Sequence, residues 1–489
     1  MSNKKPALKG IWDTPPLDGT RKLFKTLSVS KIPLLAQVHS TIPASSPLSS
    51  ISQTSSELSQ CEPFSLLPND TFDTILSTED SPNPQFSPRF VGIAICGEDP
   101  RHRDPNKQSY ETCHRITSIL KTLNQAEDLQ PYLVNLCEAS LPSATDAELL
   151  CIHTKGYLNK LSRLLNKARS DFQDAKEIDL SVNDLASEEF DSIYMCSQSI
   201  EVARNSAGCA LRCLHTVFQE NSIQVAAAAI RPPGHHAEAH CAMGFCFFNN
   251  AALVAKQALE KYNLKRILIV DQDIHHGNGT QRLFWDDDRV LYFSVHRWDK
   301  GKFYPNNVNE ASSSAVGPID GPGSGKTMNV AFYDGEMGDL EYQAVWTSIL
   351  LPVAQEFNPD LIILSAGFDA ADGDPIGNYH VSPRCYGVMT HSLTSLLPNA
   401  KVVMLLEGGY NVNITAASFV ECVRSLSYSN TPNNIEYNNW PETSKSRQVK
   451  PQALEAINST IMNHKPYWKS LKMMKYSTVN DGKSLVTCE

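Results

Sequence analysis

Seven short apolar runs, separated by longer segments, constrain the fold of this chain more than any other feature. Continuous apolar runs of this length are typical of strands that are buried on both faces. Segments such as Asn249–Leu259 and Glu341–Glu356 have the length of the helices that connect parallel strands. The alternation therefore predicts an α/β domain with a central parallel sheet and helices on both faces. The runs are VGIAIC (91–96), QVAAAAI (224–230), RILIV (266–270), VLYFSV (290–295), MNVAF (328–332), DLIILS (360–365) and KVVMLL (401–406).

The sequence on either side of these runs predicts two flanking segments. Residues 1–88 are rich in Ser and Pro and have few periodic apolar positions, so we expect them to be largely disordered. We expect the folded domain over 89–430. The remaining residues, 431–489, begin with a polar, Asn-rich stretch, and we expect one helix around Pro451–Met474 that packs on the domain.

Composition restricts the class of partner. The chain of 489 residues can form one large domain with extensions or two smaller domains. Its formal net charge of −10 argues against direct binding of nucleic acid and is compatible with a basic protein partner. The 13 cysteines include no CxxC pair, which favours a reduced intracellular compartment. Because no apolar stretch approaches the roughly 18 residues of a membrane span, we expect no membrane partner.

Chemically reactive side chains follow four of the predicted strands. The carboxyl ends of parallel strands meet at one edge of a sheet, and ligands bind at that edge. We therefore expect these side chains to share one site. They are His235 and His236 after the run 224–230, Asp271, Asp273 and His275 after 266–270, Asp369 after 360–365, and Tyr410 after 401–406.

The segment DQDIHHGNG carries the sharpest signal of a metal site. In an extended segment alternate residues share a face, so Asp271, Asp273 and His275 can point the same way. Carboxylate and imidazole ligands suit Zn²⁺, and Asp369 is the best candidate for a third ligand that leaves one position open for water. Each of these residues taken alone, and Asp374 as well, could be a helix cap or a turn residue. Their joint occurrence at four strand ends favours the metal site.

Two adjacent histidines, His235 and His236, follow a Pro-Pro-Gly turn. Neighbouring imidazoles on a rigid loop are seldom core residues, because each needs a buried hydrogen-bond partner. A general base beside a metal ion is their natural use.

Five long motifs resemble the class II zinc-dependent histone deacetylases and occur in the order of that family. They are RPPGHHAE, GFCFFNN, ILIVDQDIHHGNGTQ, NPDLIILSAGFDAADGDPIG and LEGGYN, and the similarity spans roughly 90–430. Three further segments are most similar to the class IIb branch, which contains a cytoplasmic tubulin deacetylase. These are ATDAELLCIHTKGYL (144–158), EEFDSIYMC (188–196) and PYWKSLKMMK (466–475).

The resemblance implies a single arginase/deacetylase-type domain with about eight strands in its parallel sheet. It implies zinc-dependent hydrolysis of N6-acetyl-lysine in proteins to lysine and acetate. The implied substrates are acetylated histone tails, tubulin or other cytosolic proteins, in the cytoplasm with the nucleus as a second location. One catalytic Zn²⁺ is implied, together with structural K⁺ that binds partly through backbone carbonyls around Asp271, Asp273, His275 and the Ser294-Val295 pair.

The resemblance also assigns roles at the strand ends. Asp273, His275 and Asp369 match the zinc ligands of the family. Tyr410 matches the phenol that polarises the acetyl carbonyl and stabilises the developing oxyanion. Some class II members carry His at that position, and this chain keeps Tyr.

The two histidines match a tandem catalytic pair, in which His236 is expected to take the proton of the attacking water. Asp271 matches the hydrogen-bond partner of His235, and Asn278 matches the partner of His236. An anionic partner favours the imidazolium form of His235, whereas a neutral partner leaves His236 free to act as a neutral base.

The substrate site implied by the resemblance is a narrow tunnel. Phe245 and Tyr304 match its aromatic walls, which would pack along the methylenes of the lysine. The carbonyl of Gly244 matches the acceptor for the substrate amide N–H, and Ser192 matches a serine at the rim. Ile376 stands where the polyamine-deacetylase branch carries Glu, which favours peptide lysine over acetylpolyamine.

The chain departs from the family pattern at three places. Gln272 replaces a Trp, and because it is expected to face away from the metal we expect an effect on packing alone. Ser109-Tyr110-Glu111 replaces His-Pro-Glu, which leaves the rim loop 98–112 undefined. Tyr304 replaces a Phe and adds a hydroxyl at the tunnel mouth.

Three other functions stay open at this point. An arginase-like hydrolase would need additional carboxylates for a two-metal cluster, and an acetylpolyamine hydrolase would need an acidic residue at Ile376. A non-catalytic reader of acetyl-lysine would not need the complete set of catalytic residues. The retention of that set argues against a reader: His236, Asp273, His275, Asp369 and Tyr410.

Overall fold

An eight-stranded sheet in which all neighbouring strands run parallel forms the centre of the computed structural model. The structure describes residues 89–137, 140–428, 440 and 448–472, and the backbone of a short antiparallel pair, Met474–Lys475 and Thr487–Cys488. Segment 1–88, for which the sequence predicts disorder, lies outside the described residues.

All seven apolar runs form strands of this sheet, so the predicted α/β fold with a central parallel sheet is confirmed. The sequence indicated no strand at Leu133–Asn135, which is only three residues long and pairs at the edge of the sheet. The strands are β1 (Phe90–Ile95), β2 (Leu133–Asn135), β3 (Ile223–Ala229), β4 (Ile267–Asp271), β5 (Val290–Arg297), β6 (Thr327–Phe332), β7 (Leu361–Ala366) and β8 (Lys401–Leu406).

Helices connect the strands and cover the sheet. Several begin at a side chain that caps the helix, as where the Asn249 side chain accepts a hydrogen bond from the N–H of Ala252. The α-helices are α1 (His114–Gln125), α2 (Asp146–Leu149), α3 (Lys155–Asp171), α4 (Ala175–Glu189), α5 (Ser199–Gln219), α6 (Asn250–Lys261), α7 (Asn278–Leu283), α8 (Asp339–Val345), α9 (Leu351–Phe357), α10 (Pro383–Leu396), α11 (Val412–Ser427), α12 (Pro451–His464) and α13 (Lys469–Lys472).

The helix predicted over Glu341–Glu356 is interrupted in its middle. A π-helical turn, Trp346–Leu350, joins α8 to α9. Pro352 has no N–H to donate within the helix, so the regular hydrogen-bond ladder is broken near this point. Of the apolar residues that the sequence places near one face, Tyr342, Val345, Ile349 and Val353 are buried, whereas Leu340 is half-buried.

Helix α12 lies against the edge strand β6. The hydroxyl of Thr460 donates to the carbonyl of Asn329 on that strand at 2.8 Å. Beyond the helix, the indole of Trp468 donates to the carbonyl of Gly325 at 3.0 Å. These bonds occupy polar groups next to a strand edge that would otherwise be open to another chain.

Among the described residues, no helix has both the length and the hydropathy that a bilayer span requires.

The order of the strands decides where the site forms. Across the sheet the order is β2-β1-β3-β8-β7-β4-β5-β6. The four strands that precede the reactive side chains, β3, β8, β7 and β4, are therefore immediate neighbours at the centre. Their carboxyl ends meet at one edge, as the sequence predicted.

Candidate active site

Asp273, His275 and Asp369 converge at the carboxyl ends of β4 and β7. His275 Nδ1 lies 3.0 Å from Asp273 Oδ1 and 3.1 Å from Asp369 Oδ2. All three side chains are buried, and their ligand atoms lie within 4.8 Å of one another. In the part of the chain that the structure describes, this is the one group of His, Cys, Asp or Glu side chains that meets this criterion for a metal site.

Backbone N–H groups from neighbouring loops orient the two carboxylates. Asp273 Oδ2 accepts from Gly408 N, and Asp369 Oδ1 accepts from Ile274 N, both at 2.8 Å. Gly408 leaves no room for a side chain, because an added Cβ would lie 2.3 Å from Asp369 Oδ2 and 2.6 Å from Asp273 Oδ2. The space between the carboxylates is thus preserved by glycine.

The charges of this cluster fit a divalent cation. Burial and the charge of Asp273 raise the pKa of Asp369 to about 7, although His275 opposes the shift. Two carboxylates buried together are costly unless a cation lies between them. One imidazole nitrogen and two carboxylate oxygens form a donor set that suits Zn²⁺, so the residues fit the metal that the resemblance implies.

His235 and His236 lie beside the cluster with their ring centroids 4.0 Å apart. His235 Nδ1 lies 3.1 Å from Asp271 Oδ2, and His236 Nδ1 lies 2.8 Å from Asn278 Oδ1. Each histidine therefore contacts the partner that the resemblance implied. Burial disfavours the charged form of His235, yet the charges of Asp273 and Asp271 raise its pKa to about 10.

The second histidine is held neutral. Burial, together with the positive charges of His235 and His275, lowers the pKa of His236 well below its usual value, while the hydrogen bond with Asn278 opposes this. The two rings therefore differ in charge at neutral pH, in the direction that their partners predict.

Tyr410 follows β8 and lies near the carboxylates of Asp273 and Asp369. Its ring makes an edge contact with Phe245, with centroids 6.0 Å apart. Burial and nearby carboxylates raise the pKa of Tyr410 well above its usual value, so its hydroxyl stays protonated and can donate. Asp374 fixes the backbone here, since its Oδ2 accepts from Tyr410 N at 2.7 Å.

The residues expected at the tunnel lie together around His236. The Tyr304 ring centroid is 5.2 Å from that of His236. The N–H groups of Gly244 and Phe245 donate to the carbonyls of Asp191 and Ser192 at 3.1 and 3.0 Å. Gly244 has a φ of +52°, and a Cβ there would lie 2.5 Å from the His236 ring, so this position requires glycine.

Two further predicted positions lie nearby. Burial raises the pKa of Tyr304 well above its usual value, and the rim serine Ser192 lies close to the added hydroxyl, which has no hydrogen-bond partner within the described residues. Ile376 is half-buried, and its N–H donates to Asp374 Oδ1 at 2.8 Å.

The sequence predicts no role for two residues that hold the site in place. Glu407 Oε2 accepts from the N–H groups of Gly234 and His235 at 2.7 and 3.1 Å. Arg115, on α1, donates to the carbonyls of Gly409 and Glu407, the first at 2.6 Å. These bonds run to backbone atoms far away in sequence, so residue patterns do not reveal them.

The divergent loop 98–112 ends in a buried ion pair. Glu111, the residue of the His-Pro-Glu pattern that this chain retains, accepts from Arg231 Nε and Nη2, both at 2.8 Å. It also accepts from Arg115 Nη1 at 3.1 Å. Glu111 thus anchors the start of the loop that carries His235 and His236. Its presence in the divergent motif was the feature of the sequence that could have indicated this role.

The remaining positions are packed at the ends of β4 and β5. Gln272 is 2% exposed, and its N–H donates to the carbonyl of Ser365 at 3.1 Å. Asp271 pairs with Ser294 in the register of these strands, which brings together residues expected at a K⁺ site.

The region that contains the site is similar to known proteins. A sequence profile described as "Histone deacetylase domain" matches residues 109–426. Histone deacetylase 6 of Caenorhabditis elegans is 36% identical over 387 residues, which cover 78% of this chain and 39% of that protein. Histone deacetylase 18 of Arabidopsis thaliana is 42% identical over 344 residues, covering 70% and 48%. Polyamine deacetylase HDAC10 of Homo sapiens is 35% identical over 371 residues, covering 76% and 51%.

This chain therefore spans between 39% and 51% of the length of these relatives. The profile takes in every strand from β2 to β8 and all the site residues described above. The chain accordingly belongs to the histone deacetylase family and, by these relatives, to its class II.

Proposed function

We propose that this chain hydrolyses N6-acetyl-lysine in proteins to lysine and acetate with one Zn²⁺ bound by Asp273, His275 and Asp369. The observation that carries the proposal is that a neutral buried histidine and a protonated tyrosine lie beside this cluster at the carboxyl edge of the sheet. Neither an acetyl-lysine reader nor a simple metal store needs both of these groups.

The bound ion would supply Lewis acidity towards water and the acetyl carbonyl. His236 takes the proton of the attacking water at Nε2, since its Nδ1 faces Asn278. The Tyr410 hydroxyl donates to the oxyanion that develops on the acetyl group. The proton held by His236 is then available to the departing lysine amine. Family membership and family-wide chemistry support these roles.

The substrate class follows from the walls of the pocket. Phe245 and Tyr304 offer aromatic surface to the methylenes of a lysine, and the Gly244 carbonyl offers an acceptor for its amide N–H. Ile376 presents an apolar side chain where a second substrate amine would need a carboxylate. We therefore favour acetylated protein over acetylpolyamine, although one relative is named a polyamine deacetylase.

The resemblance to class IIb supports further assignments. It favours the cytoplasm as the main location, histone tails, tubulin or other cytosolic proteins as substrates, and structural K⁺ near Asp271 and Ser294.

The test is acetate release by purified, zinc-loaded protein from an acetyl-lysine peptide, with acetylspermidine as the competing substrate. Tyr410→Phe removes one oxyanion donor and should lower kcat by about 10²–10³ with zinc content unchanged. Tyr467→Phe, which removes an exposed hydroxyl, is the matched control. Lack of turnover by fully zinc-loaded protein would contradict the enzyme, and preference for acetylspermidine would contradict the substrate class.

A further inference from the structure

Glu238 lies behind the catalytic histidine and is linked to it by Asn278. Asn278 Oδ1 is 2.8 Å from His236 Nδ1, and Asn278 Nδ2 donates to Glu238 Oε1 at 2.8 Å. Arg282 donates to the same Glu238 oxygen. Glu238 is 8% exposed, so this chain of hydrogen bonds is largely shielded from water.

The donors and acceptors of Glu238 and Asn278 determine which ring nitrogen of His236 carries the hydrogen. An ionised carboxylate only accepts hydrogen bonds, so the amide of Asn278 must turn its NH₂ towards Glu238. The amide oxygen then faces His236, and because that oxygen also only accepts, Nδ1 of His236 must carry a hydrogen. In the neutral ring, the lone pair is therefore left at Nε2.

The opposite amide orientation would disable the base. Turned over, Asn278 would present NH₂ to His236 Nδ1, and the ring proton would move to Nε2. The amide oxygen would then face Glu238, which exchanges a charge-assisted hydrogen bond for a contact between two acceptors. Because hydrogen bonds to charged groups are the stronger ones, the observed orientation is favoured by about tenfold or more.

The backbone keeps Glu238 in place, and a second ion pair holds Arg282. Its N–H donates to the carbonyl of Cys241 at 2.9 Å, and its own carbonyl contacts His153 Nδ1 at 3.0 Å. Arg282 is held in turn by Glu310, which accepts from its Nε and Nη2 at 2.9 and 2.6 Å.

We propose that Glu238 is a positioning residue that sets the tautomer of His236 by orienting the amide of Asn278. The proposal rests on the base function proposed above for His236. It assigns a role to a buried acid that contacts neither the metal cluster nor the residues expected to touch the substrate.

Glu238→Gln tests this with little change of shape. Glutamine can donate to Asn278 Oδ1 as well as accept from its NH₂, so both amide orientations become available. We expect kcat to fall about three- to tenfold, because only molecules with the amide in the productive orientation turn over, with KM within about twofold because the substrate lies on the other side of the ring. Glu310→Gln is the control, since Glu310 shares Arg282 but does not touch Asn278.

A second substitution separates orientation from packing. Asn278→Asp places a carboxylate at 278, whose two oxygens need no orienting. In Glu238→Gln/Asn278→Asp, the glutamine can donate to one oxygen and His236 Nδ1 to the other. In the Asn278→Asp background, Glu238→Gln should lower kcat by less than about twofold, or should raise it. An equal loss in both backgrounds would overturn the proposal.

The tautomer can also be read directly from the ¹⁵N chemical shifts of His236 in zinc-loaded protein. We expect a protonated Nδ1 in the wild type and a mixture in Glu238→Gln. A protonated Nε2 in the wild type, or an unchanged spectrum in the variant, would contradict the proposal even if the protein lacked turnover. Turnover by the wild type with no effect of Glu238→Gln would overturn this proposal and leave the hydrolase assignment standing.

A separate pair of thiols carries a second inference. Cys137, just after β2, has its Sγ 3.7 Å from that of Cys209 on α5. Cys137 is half-buried and Cys209 is fully buried. Hydrogen bonds from Cys209 and from the backbone at Ile95 outweigh burial and lower the pKa of the Cys137 thiol to about 7. The more accessible thiol is thus also the more acidic one.

We infer that peroxide oxidises this pair to a disulfide. The Cys137 thiolate attacks one peroxide oxygen and forms a sulfenic acid, and the other oxygen leaves as water after protonation. The Cys209 sulfur then attacks the Cys137 sulfur, and the second oxygen leaves as water. A small side-chain rotation closes the sulfur separation to the roughly 2.0 Å of a disulfide.

Peptide mapping without reductant, after brief treatment with hydrogen peroxide, tests this step. We expect a Cys137–Cys209 cross-link that dithiothreitol reverses. Cys209→Ser should leave Cys137 as a sulfenic acid that dimedone traps, whereas Cys213→Ser, a buried thiol one helical turn away, should leave the cross-link intact. A cross-link to another cysteine, or an unoxidised Cys137, would overturn the inference.

Discussion

Asp374 shows how a single carboxylate can organise the backbone of the site. Its Oδ2 accepts from the N–H groups of Tyr410 and Asn411 at 2.7 and 3.3 Å. Its Oδ1 accepts from Ile376 and Gly377 at 2.8 and 3.1 Å. One side chain therefore ties its own turn to the loop that carries the oxyanion donor.

Substitution of Asp374 by Asn should separate activity from metal binding. The amide NH₂ would face one of the two pairs of N–H donors, which loses charge-assisted hydrogen bonds of about 1.5–3 kcal/mol. If that loss falls on the placement of Tyr410, we expect kcat to drop about 10- to 100-fold with full zinc content. Steady-state kinetics measures kcat, and metal analysis measures the zinc content. The same change at exposed Asp372 is the control, and a loss of zinc instead of kcat would contradict this role.

Contacts between side chains were easier to predict from the sequence than hydrogen bonds from a side chain to the backbone. The clusters around Asp273 and His236 follow from residues placed at strand ends and from the family resemblance. Asp374 was expected only as a turn residue, and the turn is present, but its bond to Tyr410 N was not foreseen. Such a bond depends on the path of a loop 36 residues away, which residue types do not encode.

At the scale of helices and strands, the pattern of apolar residues predicted which segments form strands. It did not predict which strands lie next to each other in the sheet. All seven apolar runs became strands because strands that are buried on both faces must be apolar throughout. Strand β2 was missed because three residues are too few to show a pattern. The adjacency of β3, β8, β7 and β4 depends on how the crossovers pack, which the sequence alone left open.

Helix α12 should make stability depend on pH through His464. Burial lowers the pKa of His464 to about 3, from an ordinary value of 6.5. Because the folded pKa is the lower one, the unfolded state binds more protons between these values, and stability falls as pH falls below about 6.5. Within the described residues, neither ring nitrogen of His464 has a hydrogen-bond partner to oppose this.

We expect His464→Leu to remove that contribution. Between pH 7 and pH 5 the wild type should lose about 2 kcal/mol more unfolding free energy than the variant. Urea denaturation at the two pH values measures the difference. Parallel losses in both proteins would show that His464 is protonated without penalty in the folded state.

At the scale of the whole molecule, the candidate metal site connects loops from separate parts of the chain. The ligands come from the loops after β4 and β7, and the loop after β8 donates Gly408 N to Asp273. A bound ion should therefore stabilise the centre of the sheet and not merely its surface.

Removal of the metal should lower the thermal midpoint of the full chain. Binding to the folded state alone contributes about 4 kcal/mol when free metal exceeds Kd a thousandfold. We expect a chelator to lower the midpoint by several degrees, with recovery on adding Zn²⁺ but not Mg²⁺, because a nitrogen and two carboxylates suit zinc. Asp273→Asn should melt equally with and without chelator. If the chelator lowered the midpoint of Asp273→Asn as much as that of the wild type, the metal responsible would be bound elsewhere.

The carboxylates of the site also connect the loops after β7, β4, β8 and β3 in series. Glu407 holds the loop of His235, Asp273 holds the loop of Gly408, and Asp369 holds the loop of Ile274. A descendant that abandoned hydrolysis could not discard these acids freely, because each one supports a neighbouring loop. Changes would come first at Tyr410 and His236, because in the part of the chain that the structure describes their side chains make no hydrogen bond to the backbone, and the carboxylates would remain.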